Sequence, residues 1–410
     1  MKLRAFDSLQ KYIKKKEITI FDSLSPKQAI HKPNTDNQEM ENKPQRLLSI
    51  DALRGFDMLF IMGFSSLVIA ICSLFPGGAD CWLATTMKHA SWDGLTHHDT
   101  IFPLFLFLAG MSFPFSYAKQ VASGKTSGQI YLKIFKRAFI LIFLGVVYNG
   151  FFKLDFESLR ICSVLGRIGL AWMFAAILYI NFKAKTRIII CSLILIVYWL
   201  LICYVPAPDA AGAEALSREG NFAGYVDRLI APGRLLYYGG RFDPEGLFST
   251  IPAVVTAMLG IFTGEFVRIP EEKISGKRKS LYMAVAAVVL LAAGLLWSLD
   301  FPLNKKLWSS SFVLVVGAYS VGMFALYYYI IDVRKWQKWT KFFAVIGMNS
   351  ITIYMAQRII DFGSISNFFL GGLAEKLPPE WAAVLTEFGV VAVGWLFLYF
   401  LYRKKTFLKI

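Results

Sequence analysis

KHASWDGLTHHDTIFPLFLFLAG, residues Lys88–Gly110, joins a polar, titratable stretch directly to a strongly apolar run. It holds His89, His97 and His98, three of the chain's four histidines, together with Asp93 and Asp99. Titratable side chains are costly where a membrane span meets water, so a cluster of them there marks chemistry or a permeation path rather than packing.

The apolar half of that stretch is repeated in kind along the chain. Of 410 residues, 56% are apolar, 36 are Phe, and the mean hydropathy is +0.51. Runs of about 20 apolar residues fit the roughly 30 Å bilayer core in helical form. The expected fold is an all-α polytopic membrane protein, a bundle of about ten transmembrane helices. The spans are read at about 49–75, 97–117, 131–151, 161–181, 188–205, 247–267, 280–299, 309–331, 339–358 and 381–402. The short, Gly-rich stretch 362–375 reads as an interfacial or re-entrant piece. Residues 1–46 are polar and Lys-rich and lack a continuous apolar core, so they read as a cytoplasmic tail rather than a signal peptide. A short amphipathic piece near LQKYIKKK is placed to touch anionic lipid. Residues 47–410 are read as one membrane domain, with a long outer loop at 206–246 expected to fold over the outer mouth.

The net charge of +16 invites a nucleic-acid reading. The basic residues, however, gather at alternate ends of the apolar runs, which is the positive-inside pattern and argues against nucleic acid. That alternation puts both termini in the cytoplasm and the His-rich segment on the outer side. The five cysteines lack metal-ligand spacing; Cys72 and Cys81 are the pair placed to meet outside as a disulfide. No internal repeat is visible, which weakens a transporter built from inverted halves.

Four places carry polar residues that a span must account for. Asp51 and Arg54 share a helix face near the cytoplasmic end, with Asp57 a further turn in; they read as a structural ion pair or as the lining of a polar path. Arg167 lies about 10 Å below Arg160. It needs a partner, with Asp99, Asp243 and Glu245 the nearest outer carboxylates, and reads as structural or as an active-site cation. Asn349 falls mid-membrane, as helix glue or as a hydrogen-bond donor to a ligand. His97 and His98 point about 100° apart on a helix, and the His-x-x-x-His face of a helical metal site is missing, so no metal is expected. His89 stands apart between helices at the outer face, where an imidazole can serve as a general base.

The KHASWDGLT segment followed by D-x-x-FP-x-F-x-F-x-x-G resembles the heparan-α-glucosaminide N-acetyltransferases, a family of bacterial and lysosomal transmembrane enzymes. SIDALRGFDM, VLGRIGLAW, FDPEGLFSTIPA, NKKLWSSSFVL and GMNSITIYM follow in register from about Arg46 to the end. The resemblance implies a multi-pass acetyltransferase of a bacterial inner membrane with a periplasmic active site. Such an enzyme takes acetyl from cytoplasmic acetyl-CoA and passes it to the amine of a terminal glucosamine, heparan sulfate being the lysosomal acceptor. It also implies a homodimer, and it places the catalytic histidine on His89. One position departs: an Asn common about ten residues before that histidine is missing from LFPGGADCW, where Asp80 can accept but, ionised, cannot donate.

With that chemistry, His89 becomes base or acetyl-carrying nucleophile, and Asp99 holds its tautomer. Arg167 and Asn349 become donors to the tetrahedral oxyanion. Trp92, Asp93, Asp243 and Glu245 are assigned to the amino sugar, and Lys133, Lys136, Arg137 and Arg268 to the CoA phosphates. Acetyl-CoA is a substrate, and no resident cofactor or metal is expected. A permease for a polar solute or sugar is the competing reading, with Asp57, Arg167 and Asn349 as its midplane site. A non-catalytic membrane scaffold is the third.

Overall fold

The computed structural model describes residues 47–210, 212–231 and 238–408, so the expected tail at 1–46 and its amphipathic piece lie outside the described residues. Helices fill the described residues and no strand is found among them. The first span begins as α1 (Leu48–Leu59), passes through a π-helical turn at Phe60–Phe64, and continues as α2 (Ser65–Cys72). The π turn breaks at Gly63, whose φ of 116° is left-handed and open to glycine. A short α3 (Trp82–Thr86) leads to the polar stretch and then to α4 (His97–Ala122).

The remaining spans are α5 (Ser127–Tyr148), α6 (Val164–Asn181), α7 (Ala184–Tyr204), α9 (Thr250–Val267), α10 (Gly276–Trp297) and α11 (Ser310–Tyr327), with α8 (Phe222–Ile230) in the long loop between α7 and α9. Helices α12 (Thr340–Gly347), α13 (Ser350–Ile359), α14 (Phe362–Ala374) and α15 (Pro379–Arg403) complete the bundle. Against about ten expected spans, eight helices of the described residues are long and apolar enough to cross a membrane. The two that fall short have visible reasons. Lys133, Lys136 and Arg137 interrupt the first half of α5, and the 339–358 segment divides at Asn349, which starts α13 with φ −123°. The expected interfacial piece at 362–375 is the 13-residue α14, packed against α15.

Burial decides which helices are central. The apolar windows of α9 and α4 are 78% and 67% buried, whereas those of α10 and α15 are 17% each, so the latter pair form the rim that lipid would meet. The central crossing is close because it is built on small residues: a Cβ added at Gly260 would lie 2.0 Å from the Phe107 carbonyl oxygen, and one at Gly110 2.0 Å from that of Ala257. Around it, Leu106, Ala171, Ala257, Met258 and Phe312 form a closed apolar core. Cys72 and Cys81, the pair that could meet as a disulfide, carry free thiols in hydrogen-bond contact with each other.

Candidate active site

Four buried or half-buried spans, α4, α6, α9 and α11, all begin at the same end of the bundle, and their amino-terminal approaches build one cavity. It is lined by His89, Trp92 and Asp99 from around the start of α4 and by Arg167 from α6. Glu245 before α9 and Lys305, Lys306 and Trp308 before α11 complete it. At roughly 210 Å³ it is smaller than the 300–1,000 Å³ typical of drug-sized ligands. That volume suits a single small moiety rather than an extended chain.

His89 Nδ1 lies 2.7 Å from Asp99 Oδ1. Asp99 Oδ2 accepts from the backbone N–H of Ala90 at 3.1 Å and from the Thr96 hydroxyl at 2.9 Å. One buried carboxylate thus ties both ends of the 90–96 loop to the first turn of α4 and orients the imidazole. A carboxylate accepts, so in the neutral ring Nδ1 carries the hydrogen and Nε2 the lone pair. His98 packs edge-on against His89 with ring centroids 4.4 Å apart, and its Nδ1 meets Ser65 Oγ at 3.1 Å. His97 turns inward, Nε2 3.4 Å from the Tyr319 hydroxyl. Among the described residues no cluster able to hold a metal is found.

Arg167 is buried on the far side of the cavity, where Nη2 donates to Gly246 O at 3.1 Å and to Ser249 Oγ, and the guanidinium stands 5.0 Å over the Trp308 ring. Its Nε and Nη1 have no partner among the described residues. Those are two buried donors on a residue that lines the cavity. Gly246 itself packs against Asp227, whose Oδ2 a Cβ there would meet at 1.8 Å. Arg160 does not share the cavity; it binds Asp243 at 2.6 Å and also Glu245. Burial alone would lower the Arg160 guanidinium, but Asp243 and Glu245 outweigh it and hold it above its ordinary value.

Two charged cavity residues escaped the sequence reading. Lys305 Nζ lies 3.2 Å from His89 Nδ1 and 3.4 Å from Asp99 Oδ1. Lys306 Nζ donates to the carbonyls of Ala90 and Ser91. Burial lowers both ammonium groups; Asp99 and Glu245 oppose this at Lys305. The signal was the NKKLW motif, which puts two adjacent lysines on the side that the charge rule leaves poor in them. The long loop between α7 and α9 reaches over the same corner: Trp92 Nε1 donates to Leu216 O at 2.9 Å and Arg218 donates to Ser91 O at 2.8 Å.

Of the residues expected at the site, His89, Trp92, Asp99, Arg167 and Glu245 line the cavity together. Asp93, Asp243 and Asn349 are not in its lining. Asp93 accepts from Asn304 at 3.1 Å, and Asp243 is the buried anchor of Arg160. Asn349 is buried at the α12–α13 break with its Nδ2 unpartnered. Asp80 is exposed in a 3-10 turn away from the cavity. Lys133 and Lys136 are exposed on α5, Arg137 stacks 4.2 Å over Trp172, and Arg268 is exposed at the end of α9.

Fold and site together define a polytopic helical membrane protein with a His–Asp dyad in a cation-lined cavity at one end of its bundle. Residues 46–201 match a family described as a domain of unknown function (DUF5009). The chain is 28% identical to the human heparan-alpha-glucosaminide N-acetyltransferase over 90% of its own length and 60% of that protein's. It is 27% identical to the mouse protein of the same name, over 94% of this chain and 63% of the other. The resemblance drawn from the motifs therefore extends along nearly the whole chain, which spans about three fifths of the curated relatives' length.

Proposed function

We propose that the protein is a transmembrane acetyltransferase that moves acetyl from cytoplasmic acetyl-CoA to the amine of a glucosamine or related amino sugar on the outer side. The observation that carries this reading is the 2.7 Å His89–Asp99 contact inside a cavity shared with the unpartnered donors of Arg167. The named relatives supply the reaction class.

In this reaction His89 Nε2 takes a proton from the acceptor nitrogen as its lone pair attacks the thioester carbonyl carbon. Asp99 keeps Nδ1–H in place and stabilises the imidazolium that forms. The carbonyl oxygen becomes an oxyanion, met by Arg167 Nε and Nη1. Collapse reforms the carbonyl and breaks the C–S bond, and the departing CoA thiolate takes a proton from the imidazolium. The amide product and free thiol leave with His89 neutral again. Glu245 and Trp92 face the acceptor: a carboxylate for hydroxyls and an aromatic face for the sugar ring. On the cytoplasmic side the basic ends of α5 and α9, with Lys133, Lys136, Arg137 and Arg268, provide the field that draws the donor's phosphates. A homodimer in the membrane completes the reading.

The test is purified protein in detergent with acetyl-CoA and glucosamine, followed by mass spectrometry of the acetylated product. His89→Ala is expected to lower the rate at least about 10³-fold. Wild-type protein that forms no product, yet carries a sugar across a vesicle membrane, would overturn the enzyme in favour of a permease.

A further inference from the structure

We propose that Lys305 is a positioning residue of this site: its ammonium holds Asp99 in line and opposes a second positive charge on the His89 ring. The inference rests on the acetyltransferase reading for its catalytic meaning, and on geometry for its existence. His89 Nδ1 faces two groups at once, Asp99 Oδ1 at 2.7 Å and Lys305 Nζ at 3.2 Å. The shorter contact to a carboxylate assigns the hydrogen to Nδ1, so an ammonium cannot donate there. Its hydrogen-bonding direction is instead toward Asp99 Oδ1, 3.4 Å away, the same oxygen that receives the imidazole N–H. Asp99 Oδ1 thus faces both Lys305 and His89, with a lone pair for each. A positive charge so close to the ring opposes a second one on it.

The neighbouring residue supports this arrangement. Lys306 fixes the carbonyls of Ala90 and Ser91, so the backbone carrying His89 and the backbone carrying Lys305 are tied together. The charged and titratable groups facing this pair are Asp99 and His98 from α4, Lys306 beside it, Glu245 before α9, and Arg167 from α6. Burial lowers the Lys305 ammonium, and Asp99 and Glu245 restore part of its charge. In the working cycle the imidazolium forms only when the acceptor's proton arrives. The ammonium beside it then favours passing that proton to the CoA thiolate.

The experiment reads the protonation of His89 without donor or acceptor. Diethylpyrocarbonate modifies the unprotonated imidazole, and the carbethoxylation rate of the His89 peptide is followed against pH by mass spectrometry. Lys305→Met is expected to move the midpoint to higher pH by about one unit or more, the size expected for removing one charge at this distance. Lys305→Arg is expected to leave it within a few tenths. Aminoethylation of Lys305→Cys, which rebuilds an ammonium of the same reach, is expected to return the midpoint and covers the case in which K305M does not fold. The acid limb of kcat/KM for acetyl transfer is expected to shift in parallel. An unchanged midpoint in K305M, or an equal shift in K305R, overturns the proposal. A shifted midpoint without a shifted acid limb overturns the catalytic role alone. Wild-type protein without acetyl transfer is a failure of the parent reading and is seen in a different assay.

Discussion

Asp99 shows how one side chain can be both structural and chemical. Its Oδ2 closes the loop that begins at Ala90, and its Oδ1 is left to face the imidazole. His89 and Asp99 were readable because the chain places them ten positions apart at the mouth of a span. Asp93 and Asp243 had the same outward signature but are used by Asn304 and Arg160, a distinction that depends on loops folding back and not on local pattern. Lys305 was illegible for a related reason: a lysine in an outer loop looks like a solvated exception until the loop is seen to close on the site. Asp227 gives a testable case of the same scale. It is buried with Oδ2 unpartnered, and burial raises its carboxyl to about 6, opposed by the N–H of Phe248 and by Arg167. A raised folded value means that stability is fully present below about pH 4 and is lost as pH rises through about 6. Asp227→Asn removes that loss, with a ceiling of about 3 kcal/mol. Thermal unfolding in detergent should show the variant gaining on wild type at pH 8 and not at pH 4. A gain that is equal at both pH values contradicts the assignment.

At the level of helices, sequence pattern located the spans well because a bilayer imposes length and apolarity on each one separately. What it missed were interruptions set by neighbours. The 339–358 segment reads as continuous, yet it breaks at Asn349, and α1 gives way to a π turn at Phe60–Phe64 that breaks at Gly63. Packing also explains glycines that have no signature of their own. At the α4–α9 crossing, Gly260 and Gly110 each face a backbone carbonyl of the other helix, so a side chain at either forces the helices apart. Gly260→Val is expected to cost at least about 2 kcal/mol, read as a lowered Tm. Gly322→Ala is the control, since its added Cβ meets only Ala287 Cβ at 3.5 Å and should leave Tm nearly unchanged. Equal losses in both would remove the crossing as the explanation.

Across the whole molecule, the proposed reaction needs the cavity on one side and the basic connections on the other. The alternation of charge read from the chain puts Asp155 outside and Lys277 inside, and both are exposed. In Cys81→Ser protein, a membrane-impermeant thiol reagent on intact cells should label Asp155→Cys at once. It should label Lys277→Cys only after the membrane is opened. The reverse pattern would place the site in the cytoplasm and end the proposed transfer across the membrane. The convergence of four helix amino termini on the cavity has a consequence for which amines can react. Each terminus carries roughly half a positive charge, and among the described lining residues Arg167, Lys305 and Lys306 stand against Asp99 and Glu245. A field of that sign favours an oxyanion and disfavours an ammonium. On the proposed reading, an acceptor enters in its free-base form, so discrimination among amines follows their basicity as well as their shape. Weakly basic amines arrive ready to react, and strongly basic ones are turned away by the same charges that stabilise the transition state.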